Sequence, residues 1–304
     1  MAEPDFELAG IYPPVPTFFN EQGDLDLPTL QHHIQRLTAP ATSWVAGIVA
    51  LGSNGEAAHL DERERDRVIR AIRAATPSNL PVLAGASAQS TRGTIALCEA
   101  VAHAGAAAAL LLPPSYFKAQ MTQETLVRHY HAIADASPVP VVIYNMPGAT
   151  GGTDLDAATV LAIAEHPRVL GLKDSAGNVT KLADIVGRVR PGFRVLAGSA
   201  GFLLPALVVG ATGAVAALAN ILPEQCHRLL ALFQQGHLDA ARRLQARLIP
   251  LNSAVTAGYG VPALKAGLEL VAGYGGQPRA PLVSLDERQR EQLQQVLAAA
   301  VEDE

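Results

Sequence analysis

Val169-Leu170-Gly171-Leu172-Lys173-Asp174-Ser175-Ala176-Gly177-Asn178 runs from an apolar segment into a lysine and then into small and polar residues, with a helical pattern opening near Val179. An apolar run this short reads as a strand buried on both faces. A lysine at the end of such a strand is costly to bury unless its amine is used. Desolvation favours a neutral lysine, and a neutral amine can attack a carbonyl to form a Schiff base. The plainer alternative is a surface lysine just past a strand end. This stretch alone does not choose between the two.

The same beat recurs on either side. Apolar runs at 10–18, 45–51, 81–84, 108–112, 139–144, 169–172, 194–197 and 213–217 are each followed by a small-residue or Gly/Pro-bearing loop and an amphipathic helical pattern. The helix expected over 61–75 starts with Asp61 as N-cap and Glu64 as its partner three residues on. Eight such units predict an α/β chain, a (β/α)8 TIM barrel over residues 1–222. A doubly wound sheet is the alternative, but no Gly-x-Gly-x-x-Gly opens a helix after the first strand. Beyond Asn220 the alternation stops. Helical patterns over 223–235, 238–249, 261–271 and 284–301, the last with a Ser284/Glu287 capping box, make 223–304 an all-helical C-terminal extension. The Gly/Pro-rich stretch 273–281 reads as a structured crossing.

A chain of 304 residues with 49% hydrophobic and 17% charged residues can bury a large core. No apolar run approaches the roughly 20 residues of a membrane helix. The acidic start Met1-Ala2-Glu3-Pro4-Asp5 lacks the basic-then-apolar layout of a secretion signal. A net charge of -5 offers nucleic acid no electrostatic footprint. Cys98 and Cys226 lie in helical patterns and are expected to be buried free thiols, which suits the cytoplasm. The expectation is a cytoplasmic chain with neither membrane nor nucleic acid as a partner.

In a barrel of this kind the active site lies where the strands end and the βα loops begin. Four of those ends carry unusual residues. The second runs into Gly52-Ser53-Asn54-Gly55-Glu56, a turn whose backbone N–H groups, hydroxyl and amide suit a carboxylate. The fifth ends in Tyr144-Asn145-Met146-Pro147, where a phenol at the barrel mouth can relay a proton. The sixth ends at Lys173, with Ser175 two residues on. The seventh ends in Ala197-Gly198-Ser199-Ala200-Gly201, where missing side chains let a ligand approach backbone. Each has an ordinary reading, as a Gly-flanked turn or a capping aromatic. Their convergence on one rim favours a site.

These stretches, in this order, resemble the dihydrodipicolinate synthase/N-acetylneuraminate lyase superfamily of class I pyruvate aldolases over nearly the whole chain, from Pro14 to about Leu282. Within it, Leu196-Ala197-Gly198-Ser199-Ala200-Gly201-Phe202, Ala217-Leu218-Ala219-Asn220, Asn252-Ser253-Ala254-Val255-Thr256 and Gly276-Gln277-Pro278-Arg279-Ala280-Pro281-Leu282 are most similar to the 4-hydroxy-2-oxoglutarate aldolases. The resemblance implies an imine between Lys173 and the C2 carbonyl of a 2-oxo acid, with no metal or organic cofactor. It implies proton transfer at the C4 hydroxyl by Tyr144, carboxylate binding by Ser53 and Asn54, and distal binding by Ser175 and the Gly198 backbone. It further implies pyruvate as partner and a homotetramer of tight dimers, in which a tyrosine from a neighbouring subunit completes the relay. That residue is Tyr116, or Phe117 if the register shifts by one. Where dihydrodipicolinate synthases carry a carboxylate-binding arginine after the tyrosine motif, this chain has Ala149, and a methyl cannot replace a guanidinium. Lysine-biosynthetic activity is therefore disfavoured.

A metal-dependent aldolase would need clustered ligands. The nine histidines are scattered. His129 and His131 fall two apart on a helix and face different ways, and His32 and His33 read as solvent and packing residues. The run Asp61-Glu62-Arg63-Glu64-Arg65-Asp66-Arg67 reads as a solvated helix face with i,i+4 pairs, and Glu56 as a structural carboxylate bonded within its loop. Two functions remain: a Schiff-base lyase acting on 4-hydroxy-2-oxoglutarate, a 2-oxo-3-deoxy sugar acid or a dihydrodipicolinate precursor, and a non-catalytic barrel that binds a small carboxylate.

Overall fold

A computed structural model describes residues 6–40 and 44–301. Residues 1–5, which carry the argument against a secretion signal, lie outside the described residues. Of eight parallel strands, β1 (Gly10–Tyr12), β2 (Ile48–Ala50), β3 (Val82–Gly85), β4 (Ala108–Leu111), β5 (Val141–Asn145), β6 (Val169–Asp174), β7 (Arg194–Ala197) and β8 (Gly213–Val215), β2 to β8 pair in chain order and β1 pairs with β8. The seam between β1 and β2 is closed by Ala46 N–H donating to the Ile11 carbonyl at 2.8 Å, Val49 N–H to Pro13 at 3.0 Å and Val15 N–H to Val49 at 3.0 Å. The expected TIM barrel is therefore observed.

Around it run α1 (Leu27–Leu37), α2 (Glu62–Ala75), α3 (Thr91–His103), α4 (Gln123–Ala136), α5 (Ala157–Ala164), α6 (Val179–Arg188) and α7 (Leu203–Val208). After β8 come α8 (Pro223–Gln234), α9 (Leu238–Ser253), a π-helical turn Ala254–Gly258, α10 (Val261–Ala272) and α11 (Glu287–Val301). The period-2 alternation of each strand divides the core in two. Tyr12, Val49, Leu83, Leu110, Val142, Tyr144, Leu196 and Val215 fill the barrel interior, while Ile11, Ile48, Val82, Val141, Ile143 and Leu172 pack outward against the helices.

Several local expectations shift. The first strand is three residues long where 10–18 was expected, because Pro13, Pro14 and Pro16 have no N–H to give a ladder. β6 continues through Lys173 to Asp174, so the lysine is inside the strand and not past its end. The capping box of α2 is formed as expected, Asp61 with Glu64. That of α11 is not Ser284/Glu287: Asp286 accepts from Gln289 N–H at 2.8 Å, and the Gln289 side chain accepts from Asp286 N–H at 3.0 Å. On α2 the i,i+4 pattern survives as Asp66–Arg70, whereas Glu64 also pairs with the distant Arg279. Cys98 and Cys226 are buried free thiols, and burial pushes the two up to about 11 and about 12. Among the described residues no helix is long and apolar enough to cross a membrane.

Candidate active site

β5 and β6 lie side by side in a register that pairs Tyr144 with Lys173, and both side chains point into the barrel. Lys173 is only 3% exposed, which removes the surface-lysine alternative. Its Nζ lies 3.6 Å from the centre of the Tyr144 ring. The chain has four lysines. Lys181 is paired with Asp154 and Asp174, Lys265 with Glu56, and Lys118 donates to the Gly151 carbonyl from an exposed position. Among the described residues, Lys173 alone is buried without a carboxylate.

The Tyr144 hydroxyl is 3.3 Å from Ser53 Oγ and donates to Met146 Sδ at 2.6 Å. Burial by itself raises this phenol. The charge of Lys173 and hydrogen bonds from Ser53, Lys173 and Ser175 outweigh that and hold it below the ordinary tyrosine value. Lys173, Tyr144, Ser53 and Ser175 therefore converge, from three different loops and strands. Ser175 Oγ reaches the Gly198 carbonyl at 3.4 Å. Gly198 is a steric requirement: a Cβ there would stand 2.0 Å from Ser175 Oγ and 2.6 Å from the Asp174 carbonyl. Gly198→Ala is expected to cost about 1–3 kcal/mol, as overpacking does. An unchanged denaturation midpoint would show that the loop yields freely.

Ser53 and Asn54 lie on a single 3-10 turn, Ser53–Gly55, flanked by Leu51 at φ 53° and Glu56 at φ 51°. Two non-glycine residues in the left-handed region mark a turn held by its surroundings. Gly85 on β3 makes room for it, since a Cβ there would lie 2.0 Å from the Leu51 carbonyl. A cavity of about 760 Å³ opens beside Tyr144, with Ser53, Gln89, Ser115, Ala149 and Leu282 in its wall. Lys173, Asn54, Ser175 and Gly198 are not part of that wall. Tyr116 does not approach Tyr144 within the chain. It is 81% exposed, edge-on to a 67% exposed Phe117, on a loop held by Gln89 Oε1, which accepts from Ser115 and Tyr116 N–H.

Sequence reasoning passed over the layer behind the site. Asn145 and Asp174, the neighbours of Tyr144 and Lys173, point outward. Asn145 donates to Asp174 at 2.8 Å and to Asp154 at 2.6 Å, and Lys181 holds the two carboxylates at 2.9 and 2.7 Å. Burial raises Asp154, but Lys181 and Asn145 hold it below the usual carboxylate range. A polar residue inside an otherwise apolar strand was the available signal. His33 is buried against Tyr274 and Asn220, and burial lowers it to about 4. His129 and His131 face Thr91 and the α5 carbonyls respectively. Among the described residues no group of three or more His, Cys, Asp or Glu is placed to hold a metal ion.

A parallel barrel with a reactive-residue cluster at the C-terminal rim of its strands has the layout of a barrel enzyme. Residues 7–300 match the model of the dihydrodipicolinate synthetase family, and the chain belongs to that family. It is 41% identical over 299 residues to a probable mitochondrial 4-hydroxy-2-oxoglutarate aldolase of Emericella nidulans, covering 97% of this chain and 96% of that one. It is 39% identical to an L-threo-3-deoxy-hexylosonate aldolase of Hypocrea jecorina, covering 100% and 99%. Among solved structures, a prophage protein of E. coli K12 from the dihydrodipicolinic acid synthase family, in complex with pyruvate, superimposes with a TM-score of 0.89 at 29% identity over 96% of this chain and 98% of that one. The chain is a carbon–carbon lyase of the aldolase class.

Proposed function

We propose that this aldolase works through an imine on Lys173 and cleaves 4-hydroxy-2-oxoglutarate to pyruvate and glyoxylate. The observation that carries the reading is the Lys173–Tyr144–Ser53 convergence: a buried amine with no counter-ion, 3.6 Å from the ring of a phenol whose hydroxyl lies beside a serine. Lys173 Nζ adds to the C2 carbonyl and water leaves. Tyr144 takes the C4 hydroxyl proton, the C3–C4 bond breaks, and its electron pair moves into the protonated imine. Glyoxylate departs; the enamine regains a proton at C3, and hydrolysis frees pyruvate and the lysine. Ser53 and Asn54 hold the substrate carboxylate, and Ser175 with the Gly198 backbone the distal end. Ala149 in the cavity wall speaks against a dihydrodipicolinate synthase, because a methyl cannot make the two-pronged carboxylate contact of a guanidinium.

The cavity supports a second reading. About 760 Å³ is generous for a five-carbon acid, and Gln89, Ser87 and Ser115 along its wall suit the hydroxyls of a 2-oxo-3-deoxy sugar acid. Pyruvate release from racemic 4-hydroxy-2-oxoglutarate, coupled to lactate dehydrogenase, decides between them. Turnover of about 1–1000 per second is expected, undiminished by EDTA because the imine supplies the electron sink without a metal. Trace release alongside rapid turnover of a deoxy sugar acid would move the substrate to the second reading, and loss of activity in EDTA would overturn the cofactor-free mechanism. Absence of any borohydride-trapped pyruvate adduct would instead overturn the imine on Lys173. The reading includes a cytoplasmic homotetramer. Two buried free thiols and the exposed, apolar Tyr116/Phe117 pair support it; light scattering and cell fractionation check it.

A further inference from the structure

The turn that carries Ser53 and Asn54 is anchored from the other end of the chain. Glu56 follows that turn, its side chain wholly buried, and its carboxylate bridges two groups more than 200 residues downstream. Lys265 Nζ on α10, also wholly buried, pairs with Oε1 at 2.7 Å, and the Arg279 backbone N–H donates to Oε2 at 2.8 Å. The bridge is itself braced. Lys265 donates to the Gln277 carbonyl at 2.9 Å and lies 4.5 Å above the Phe19 ring. The Arg279 guanidinium grips Glu64 of α2 in a two-pronged pair at 2.7 Å on each arm and donates to the carbonyls of Gly23 and His59. Thr17 Oγ1 adds a bond to the Gly55 carbonyl at 2.7 Å.

An ion pair this deep is a poor source of stability, because the desolvation of two charges offsets their attraction. Its geometric effect is larger. A carboxylate caught between an ammonium, a backbone N–H and the His59 ring 3.3 Å from Oε2 has one position, and a left-handed Glu56 one residue past Gly55 transmits that position to the turn. We infer that Glu56 and Lys265 are positioning residues: through them the C-terminal helices hold Ser53 against Tyr144, so the extension is part of what makes the rim reactive. The inference rests on the reading of Lys173, Tyr144 and Ser53 given above.

The test is turnover per active site, with sites counted by borohydride trapping of pyruvate on Lys173, in Glu56→Gln and in Glu56→Gln/Lys265→Met. Glu56→Gln leaves a buried cation unpaired and is expected to lower the melting temperature. The double variant removes that cation and is expected to recover much of the loss. Turnover per trapped site is expected to fall about tenfold to a hundredfold in both variants, since neither restores the fixed position of the turn and misplacement by about 1 Å costs that much. Recovery of turnover together with melting temperature in the double variant would overturn the inference, leaving the pair a structural strut. If the single variant does not fold, native turnover per site in the double variant overturns it equally. Absence of an adduct in the native chain would instead sink the Schiff-base reading and this inference with it.

Discussion

Lys173→Ala is expected to lower turnover by about ten-thousandfold or more, in the range seen when a covalent nucleophile is lost. The barrel itself should stay folded. No other lysine can stand in: Lys181 and Lys265 are committed to carboxylates, and Lys118 is held at the Gly151 carbonyl. The substitution also removes a buried group that has no counter-ion, so it strands no charge, and the cost in stability is that of a few methylenes. Circular dichroism and a melting curve near those of the native chain, with no pyruvate adduct after borohydride, make up the expected result. Turnover within about tenfold of native would take Lys173 out of the mechanism.

Tyr144→Phe is expected to lower kcat by about a hundredfold to ten-thousandfold while KM changes little, the signature of a lost proton transfer. Phenylalanine keeps the ring over which Lys173 Nζ lies and loses only the hydroxyl, whose partners include Ser53 Oγ and Met146 Sδ. Pyruvate should therefore still be trapped by borohydride, because in the proposed mechanism imine formation uses the amine and the cleavage step uses the phenol. The pairing of a surviving adduct with lost cleavage separates the two roles. An unchanged cleavage rate would refute the relay, and loss of the adduct would show that the hydroxyl is needed earlier, at imine formation.

The barrel was legible because its determinants are local. Eight apolar runs, each followed by a loop and an amphipathic helix, leave few topologies that bury every strand. Lys173 and Tyr144 stood out for the same reason: each interrupts an apolar strand where polarity is expensive, and alternation aims both inward. The early end of β1 was also written locally, in three prolines within four residues of Tyr12. Start signals were less decisive. Ser284/Glu287 and Asp286/Gln289 both match a capping box, and the second prevails at α11.

What no local pattern carried was the pairing of distant polar groups. Glu56 reads as a carboxylate after a glycine turn, and nothing within its own segment points to Lys265 or to the Arg279 backbone. Asn145, Asp154, Asp174 and Lys181 likewise become one network only when β5, β6 and α6 stack. Ser53 is 91 residues from Tyr144 and meets it because the barrel curls β2 and β5 to face a common interior. Hydrophobic periodicity repeats along the chain and so can be read from any short window. A hydrogen bond or ion pair depends on two atoms meeting within about 3 Å, and closure of the barrel and packing of the C-terminal helices bring such atoms together.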